Sequence, residues 1–208
     1  MKLFLASALD KTLSLLPDLI EEPRRPRRVL FVANAADNEK GVKWWVEQDR
    51  TAFEQSGYEL VDLDLREISK EKLQTELEAG DVLHLCGGRV LYLMSLLKKR
   101  GLMDVIIKAV QAEVVIYTGT SAGSMIAGQD LSLCRCDPEE QEYVSDLKDL
   151  SGLGLVNFLI LPHTNAEFFI EINKKMMEKL PEHDQTLVFL YDHQAVWVND
   201  GLSKILAV

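Results

Sequence analysis

The stretch 113–128 constrains what this chain can fold into more than any other. It opens on the β-branched and aromatic run Val114-Val115-Ile116-Tyr117, which reads as a buried strand. It then passes through Gly119-Thr120-Ser121-Ala122-Gly123 into small residues that can start a helix. A G-x-S-x-G pattern between a strand and a helix is a nucleophile elbow. So tight a turn pushes Ser121 into a strained backbone conformation and admits only small residues at positions 119 and 123. The serine oxygen is then lifted above the sheet edge, and the Ala122 N–H points at whatever that oxygen attacks. An ordinary strand-to-helix turn with a capping serine is the competing reading.

At 208 residues the chain suits one α/β domain spanning 1–208 with a sizeable core. Acidic residues outnumber basic ones 33 to 23, for a formal charge of −10. An acidic surface repels nucleic acid and anionic membrane, so neither is the expected partner. The basic run Arg24-Arg25-Pro26-Arg27-Arg28 reads as a solvated connection. Cys86, Cys134 and Cys136 form no even disulfide framework, and Cys134-Arg135-Cys136 lacks the C-x-x-C spacing of zinc or redox sites. A reduced, cytosolic setting is the simplest account. The apolar start of the chain is cut short by Asp10 and Lys11, so a first strand is expected there and not a signal peptide. No apolar run approaches transmembrane length.

Strand and helix patterns alternate along the chain. Strands are expected near 28–33, 58–63, 81–85, 113–118, 158–161 and 186–190. Helices are expected over 12–22, 42–55, 69–80, 90–99, 105–112 and 166–180, and one of Trp44 and Trp45 should pack on the sheet. Residues 130–149 are polar and acidic without a clear period, and read as a lid or surface loop. Asn199-Asp200-Gly201 signals a hairpin between 195–198 and 202–207. The pattern implies a mostly parallel sheet covered on both faces, with an antiparallel hairpin at its C-terminal edge. Function belongs at the carboxyl ends of such strands.

A serine hydroxyl needs a base within hydrogen-bond reach. His84 sits inside a strand and His183 in a polar run, so His163, at a strand end on the elbow's rim, is the strongest candidate. Asp192 follows the next strand and is placed to orient His163. Chain order is then Ser121, His163, Asp192, whereas α/β-hydrolases run serine, acid, histidine. Asp137, Asp146 or Asp149 would restore that order from the irregular acidic stretch. Gly87-Gly88 follows another strand, and Gly88 with Ala122 forms a two-donor oxyanion hole.

With these residues in place the chain resembles the peptidase E family of serine peptidases, which includes aspartyl dipeptidase and, more distantly, cyanophycinase. The resemblance rests on Gly87-Gly88 before the helix ending in Lys99-Arg100-Gly101-Leu102, on Gly119 to Gly123, and on Gly152-Leu153-Gly154-Leu155 leading to Leu161-Pro162-His163. Leu190-Tyr191-Asp192 before Val198-Asn199-Asp200-Gly201 adds to it. It implies an α/β three-layer sandwich like class I glutamine amidotransferase domains. It also implies a serine-type peptidase of small peptides, including dipeptides with N-terminal aspartate, with no metal or cofactor. Carried over by position, Ser121 is nucleophile, His163 general acid and base, Asp192 orienting acid, and Gly88 and Ala122 oxyanion donors. Three positions depart from the aspartyl dipeptidase: Asp192 replaces a glutamate, Cys86 a glycine and Arg89 an asparagine. Arg89, at a helix start beside the oxyanion glycine, is placed to clamp a substrate carboxylate.

Other functions stay open at this point: a catalytically silent binding or regulatory domain of the same fold, an esterase, or a β-aspartyl polymer hydrolase. The sequence is also compatible with a homodimer.

Overall fold

Along the inner strands, successive side chains enter opposite cores. Leu3 and Leu5 of β1 (Lys2–Ala6) join one buried cluster, while Phe4 and Ala6 join the other. Leu30 and Val32 of β2 (Arg28–Val32) likewise part from Val29 and Phe31. A strand apolar on both faces must be covered on both, which makes this a three-layer sandwich. The computed structural model describes residues 1–16, 27–182 and 184–208. Most of the basic run from Arg24, the later part of the expected helix 12–22, and His183 lie outside the described residues.

The remaining strands of the central sheet are β3 (Glu59–Asp62), β4 (Val82–Leu85), β5 (Ile116–Thr120), β8 (Gln194–Asn199) and β9 (Leu202–Ala207). Their order is β3-β2-β4-β5-β1-β8-β9, so the elbow strand β5 is central. The first five are parallel; β8 runs antiparallel to β1, and β9 to β8. Asp200 and Gly201, both at positive φ, turn the expected edge hairpin.

On one face lie α1 (Leu9–Thr12) and α2 (Trp44–Gln55). The other face packs α3 (Lys70–Ala79), α4 (Val90–Lys99), α5 (Met103–Gln111) and α6 (Ala122–Met125). Ser69 caps α3 by accepting the Lys72 N–H.

Two features differ from expectation. β6 (Phe158–Leu161) and β7 (Thr186–Phe189) form a separate two-stranded parallel sheet. Both sides of β1 are already occupied, by β5 and β8, so the main sheet has no inner position for them. Within 130–149, residues 132–144 form short helical turns, among them α7 (Gln141–Val144), and 145–149 carry no regular element. Asp130 and Asp137 start two of these turns by accepting the Ser132 and Glu139 N–H groups, a local signal with no helical period. A further helix, α8 (Ile170–Lys179), follows β6.

Phe53 of α2 is fully buried, with edge contacts to Phe31, Tyr58 and His84. Phe53→Ala is expected to cost about 3–5 kcal/mol, read from the midpoint of urea unfolding.

Candidate active site

Ser121 joins β5 to α6 with φ 50° and ψ −108°, outside the comfortable regions for a side-chain-bearing residue. Its neighbours explain why this conformation persists. A Cβ at Gly119 would lie 2.5 Å from the Gly123 carbonyl carbon, and one at Gly123 only 2.0 Å from Leu85 O. Both positions therefore require glycine, as the pattern predicts. Tyr117 Oη donates to Gly123 O at 2.6 Å, and Ser124 Oγ lies 2.8 Å from Ala6 O and 2.7 Å from Gly119 O. These contacts lock α6 onto the strand ends. Ser124 was not singled out from sequence, although a small polar residue after the elbow is the available clue.

The glycine loop lies against the elbow. A Cβ at Gly87 would be 3.3 Å from Ser121 Cβ, and Gly88, at φ 146°, passes so close to Ala35 that a Cβ would meet its oxygen at 2.2 Å. Trp45 Nε1 donates to Gly87 O at 3.1 Å, so the second of the paired tryptophans buttresses this loop while Trp44 stays exposed. Gly88 and Ala122 donate to no backbone carbonyl among the described residues.

His163 and Asp192 follow the ends of β6 and β7, so they stand on the rim of the small sheet, and β1 is what joins them to the elbow. The Ser121 N–H donates to Ala6 O at 3.1 Å, and the His163 N–H donates to Ser7 Oγ at 2.8 Å. His163 Nδ1 lies 2.6 Å from Asp192 Oδ1, and Lys11 Nζ lies 3.1 Å from Oδ2. Burial alone would raise the Asp192 carboxyl; hydrogen bonds from His163 and Lys11, with their charges, hold it below its ordinary value. His163 itself is at φ 56° and stacks on Phe169 at 4.7 Å. Among the described residues, Ser121 Oγ makes no hydrogen bond to His163. Asp146 and Asp149 face Lys99 and Lys98 instead of any histidine, and Asp137 caps its own turn.

Arg89 is already engaged. Its Nε lies 2.9 Å from Glu39 Oε1, and its other donors reach Glu39 and Glu139. Beside it, the buried Glu140 accepts the Val90 and Leu91 N–H groups at 2.6 and 2.9 Å, capping α4 from another part of the chain. A second polar cluster lies in the core under α2: His84 bonds Asp49 at 3.2 Å and Thr118 at 2.9 Å, with Cys86 close by. Asp49, His84 and Cys86 bring ligand-type atoms within 4.8 Å of one another. Both imidazole nitrogens are occupied, however, and burial pushes the Cys86 thiol well above its ordinary value, which suits a core cluster better than a metal centre.

A glycine-enforced elbow on a central parallel strand, flanked by a glycine loop, defines a hydrolase-type nucleophile-elbow site on a three-layer sandwich. Comparison with known proteins narrows this. The model of peptidase family S51 matches residues 3–206. An uncharacterized peptidase of Pasteurella multocida is 28% identical over 201 residues, covering 96% of this chain and 94% of that protein. A Listeria monocytogenes one is 27% identical, covering 94% and 93%. A crystal structure from Listeria monocytogenes EGD-e, provisionally described as peptidase E, superposes with a TM-score of 0.89 at 25% identity, covering 100% of this chain and 98% of that one. The chain belongs to peptidase family S51, the peptidase E family, and is a serine-type peptidase.

Burial raises the Glu140 carboxyl to about 7, against the lowering effect of the Leu91 and Val90 N–H groups. The folded state therefore holds this proton more tightly than the unfolded chain does. The associated stabilisation is complete below the unfolded value and is lost as pH rises through about 7. Glu140→Gln is expected to flatten the stability profile between about pH 4.5 and 7, removing a slope worth up to about 3 kcal/mol in urea titrations.

Proposed function

We propose that this chain hydrolyses small peptides through an acyl-enzyme on Ser121, with His163 as general base and acid and Asp192 as the orienting acid. One observation carries the reading: Asp192, though shorter than glutamate, comes within 2.6 Å of His163 Nδ1. A carboxylate that takes the Nδ1 proton selects the tautomer whose Nε2 is free to accept a proton. Ser121 Oγ then attacks the peptide carbonyl and its proton passes to His163 Nε2. The N–H groups of Gly88 and Ala122 receive the developing oxyanion. His163 returns the proton to the departing amine, and water repeats the sequence to release the acid. The serine–histidine contact closes with substrate in place, because such contacts are commonly long in free enzymes and tighten in the complex. No metal or organic cofactor enters these steps.

Dipeptides with an N-terminal aspartate are the substrate class that the family resemblance suggests. Arg89 adds little support for it, since Glu39 and Glu139 hold its guanidinium and a substrate carboxylate must displace one of them. Its present contacts suit a brace between the glycine loop and residues 137–144. Arg89→Ala is accordingly expected to change KM for aspartyl and alanyl dipeptides by the same factor in steady-state assays; a selective rise for aspartyl substrates would make it the clamp.

A fluorophosphonate probe is expected to label Ser121. Ser121→Ala should abolish labelling and lower kcat by about a thousandfold or more on a panel of dipeptides, β-linked aspartyl oligomers and p-nitrophenyl esters. Unchanged dipeptide cleavage by that variant would remove the serine mechanism, and turnover of esters alone would make the chain an esterase.

A further inference from the structure

Asp192 is met by more donors than an orienting acid requires. Besides His163 Nδ1, Ser7 Oγ lies 3.3 Å from Oδ1 and Lys11 Nζ 3.1 Å from Oδ2. Ser7 is fully buried, and its oxygen also accepts the His163 backbone N–H. Proton accounting assigns the roles. Nδ1 must donate to the carboxylate, so it offers Ser7, 3.4 Å away, no lone pair. The single Ser7 hydroxyl hydrogen therefore goes to Asp192. Asn165 Oδ1 accepts the Asp192 N–H at 3.0 Å, which holds the backbone but not the carboxylate.

An aspartate carboxylate turns easily about its last torsion, where the preference is broad and two-fold. Held at one oxygen only, it would swing away from Nδ1. We infer that Ser7 and Lys11 are positioning residues for the Asp192–His163 pair: Ser7 ties the His163 backbone to Oδ1, and Lys11 pins Oδ2. The inference rests on the triad proposed above and extends it to the end of β1 and to α1, which none of the triad residues occupies. Ser7 acts through hydrogen bonds and Lys11 through charge, so the two are separable. Removing the Ser7 hydroxyl leaves a part-buried N–H without this partner on a residue in a left-handed conformation. Lys11 is half exposed, so its contribution is modest and is screened by salt.

The test is steady-state kinetics and fluorophosphonate labelling of the full chain at 0.05 M and 1 M salt, with thermal unfolding as a check on folding. Lys11→Met is expected to lower kcat and the labelling rate by roughly fivefold at low salt with KM unchanged. The gap should narrow at high salt as the wild type falls towards the variant, and Lys11→Arg should restore the rate. Ser7→Ala is expected to lower the rate by about tenfold at either salt concentration. A readout independent of turnover is the His163 Nδ1–H proton resonance in Ser121→Ala protein, which should move or broaden when Lys11→Met is added. A labelled wild type whose Lys11→Met variant matches it in rate, salt response and resonance overturns this inference alone. A wild type that is neither labelled nor active overturns the serine mechanism, while the resonance still decides the role of Lys11.

Discussion

The tightest backbone approach at any glycine among the described residues is the one between α6 and the end of β4. At Gly123 there is no space for even a methyl group, because Leu85 O occupies the place where it would go. That contact sets the entry angle of α6, holds Ser121 at positive φ and brings the Gly87–Gly88 loop against it. A strained residue persists only where its surroundings over-determine it. Here Tyr117, Ser124 and two glycines do so together.

The second organising element is the end of β1. Its hydrogen bonds reach in both directions: Ala6 O accepts from the Ser121 N–H and lies 2.8 Å from Ser124 Oγ, while Ser7 holds His163 and Asp192. Ser121 follows a strand of the main sheet and His163 one of the small sheet, so the mutual placement of the proposed nucleophile and base depends on β1. A central strand buried on both faces is a rigid place to anchor such a pair, and buried, fully paired polar groups at its end transmit that rigidity to the loops.

Buried ionisable groups among the described residues also meet partners, as Glu140 and Asp49 show. Glu140 faces the N-terminus of α4, where two N–H groups and the helix dipole receive it. Asp49 meets His84 in the core. Arg89 sits between two glutamates, Glu39 and Glu139, and its pairing with Glu139 links it to residues 137–144. The expected loop is thereby fastened to the helix that starts beside the glycine loop.

What could be read directly is what local rules govern. The elbow, the alternation of strands with helices and the Asn199-Asp200-Gly201 turn all act over a few residues, through φ/ψ preference and side-chain period. The helices from Trp44 to Gln111 fall within a few residues of their expected ends for the same reason. His163 and Asp192 were legible as strand-end residues because strand ends are local too. The separate β6–β7 sheet, the capture of Arg89 and the polar pair under α2 were not, since each depends on which distant groups compete for the same space or charge. Ser7 and Lys11 show the limit most clearly: 156 residues separate Ser7 from His163, and nothing near Ser7 in the chain marks it. Sequence alone determined the strand–turn–helix pattern around Ser121, because side-chain period and the small residues that a tight turn needs are local. Tertiary structure decided which groups meet Asp192 and His163, because packing and charge pairing are settled by whatever the fold brings into reach.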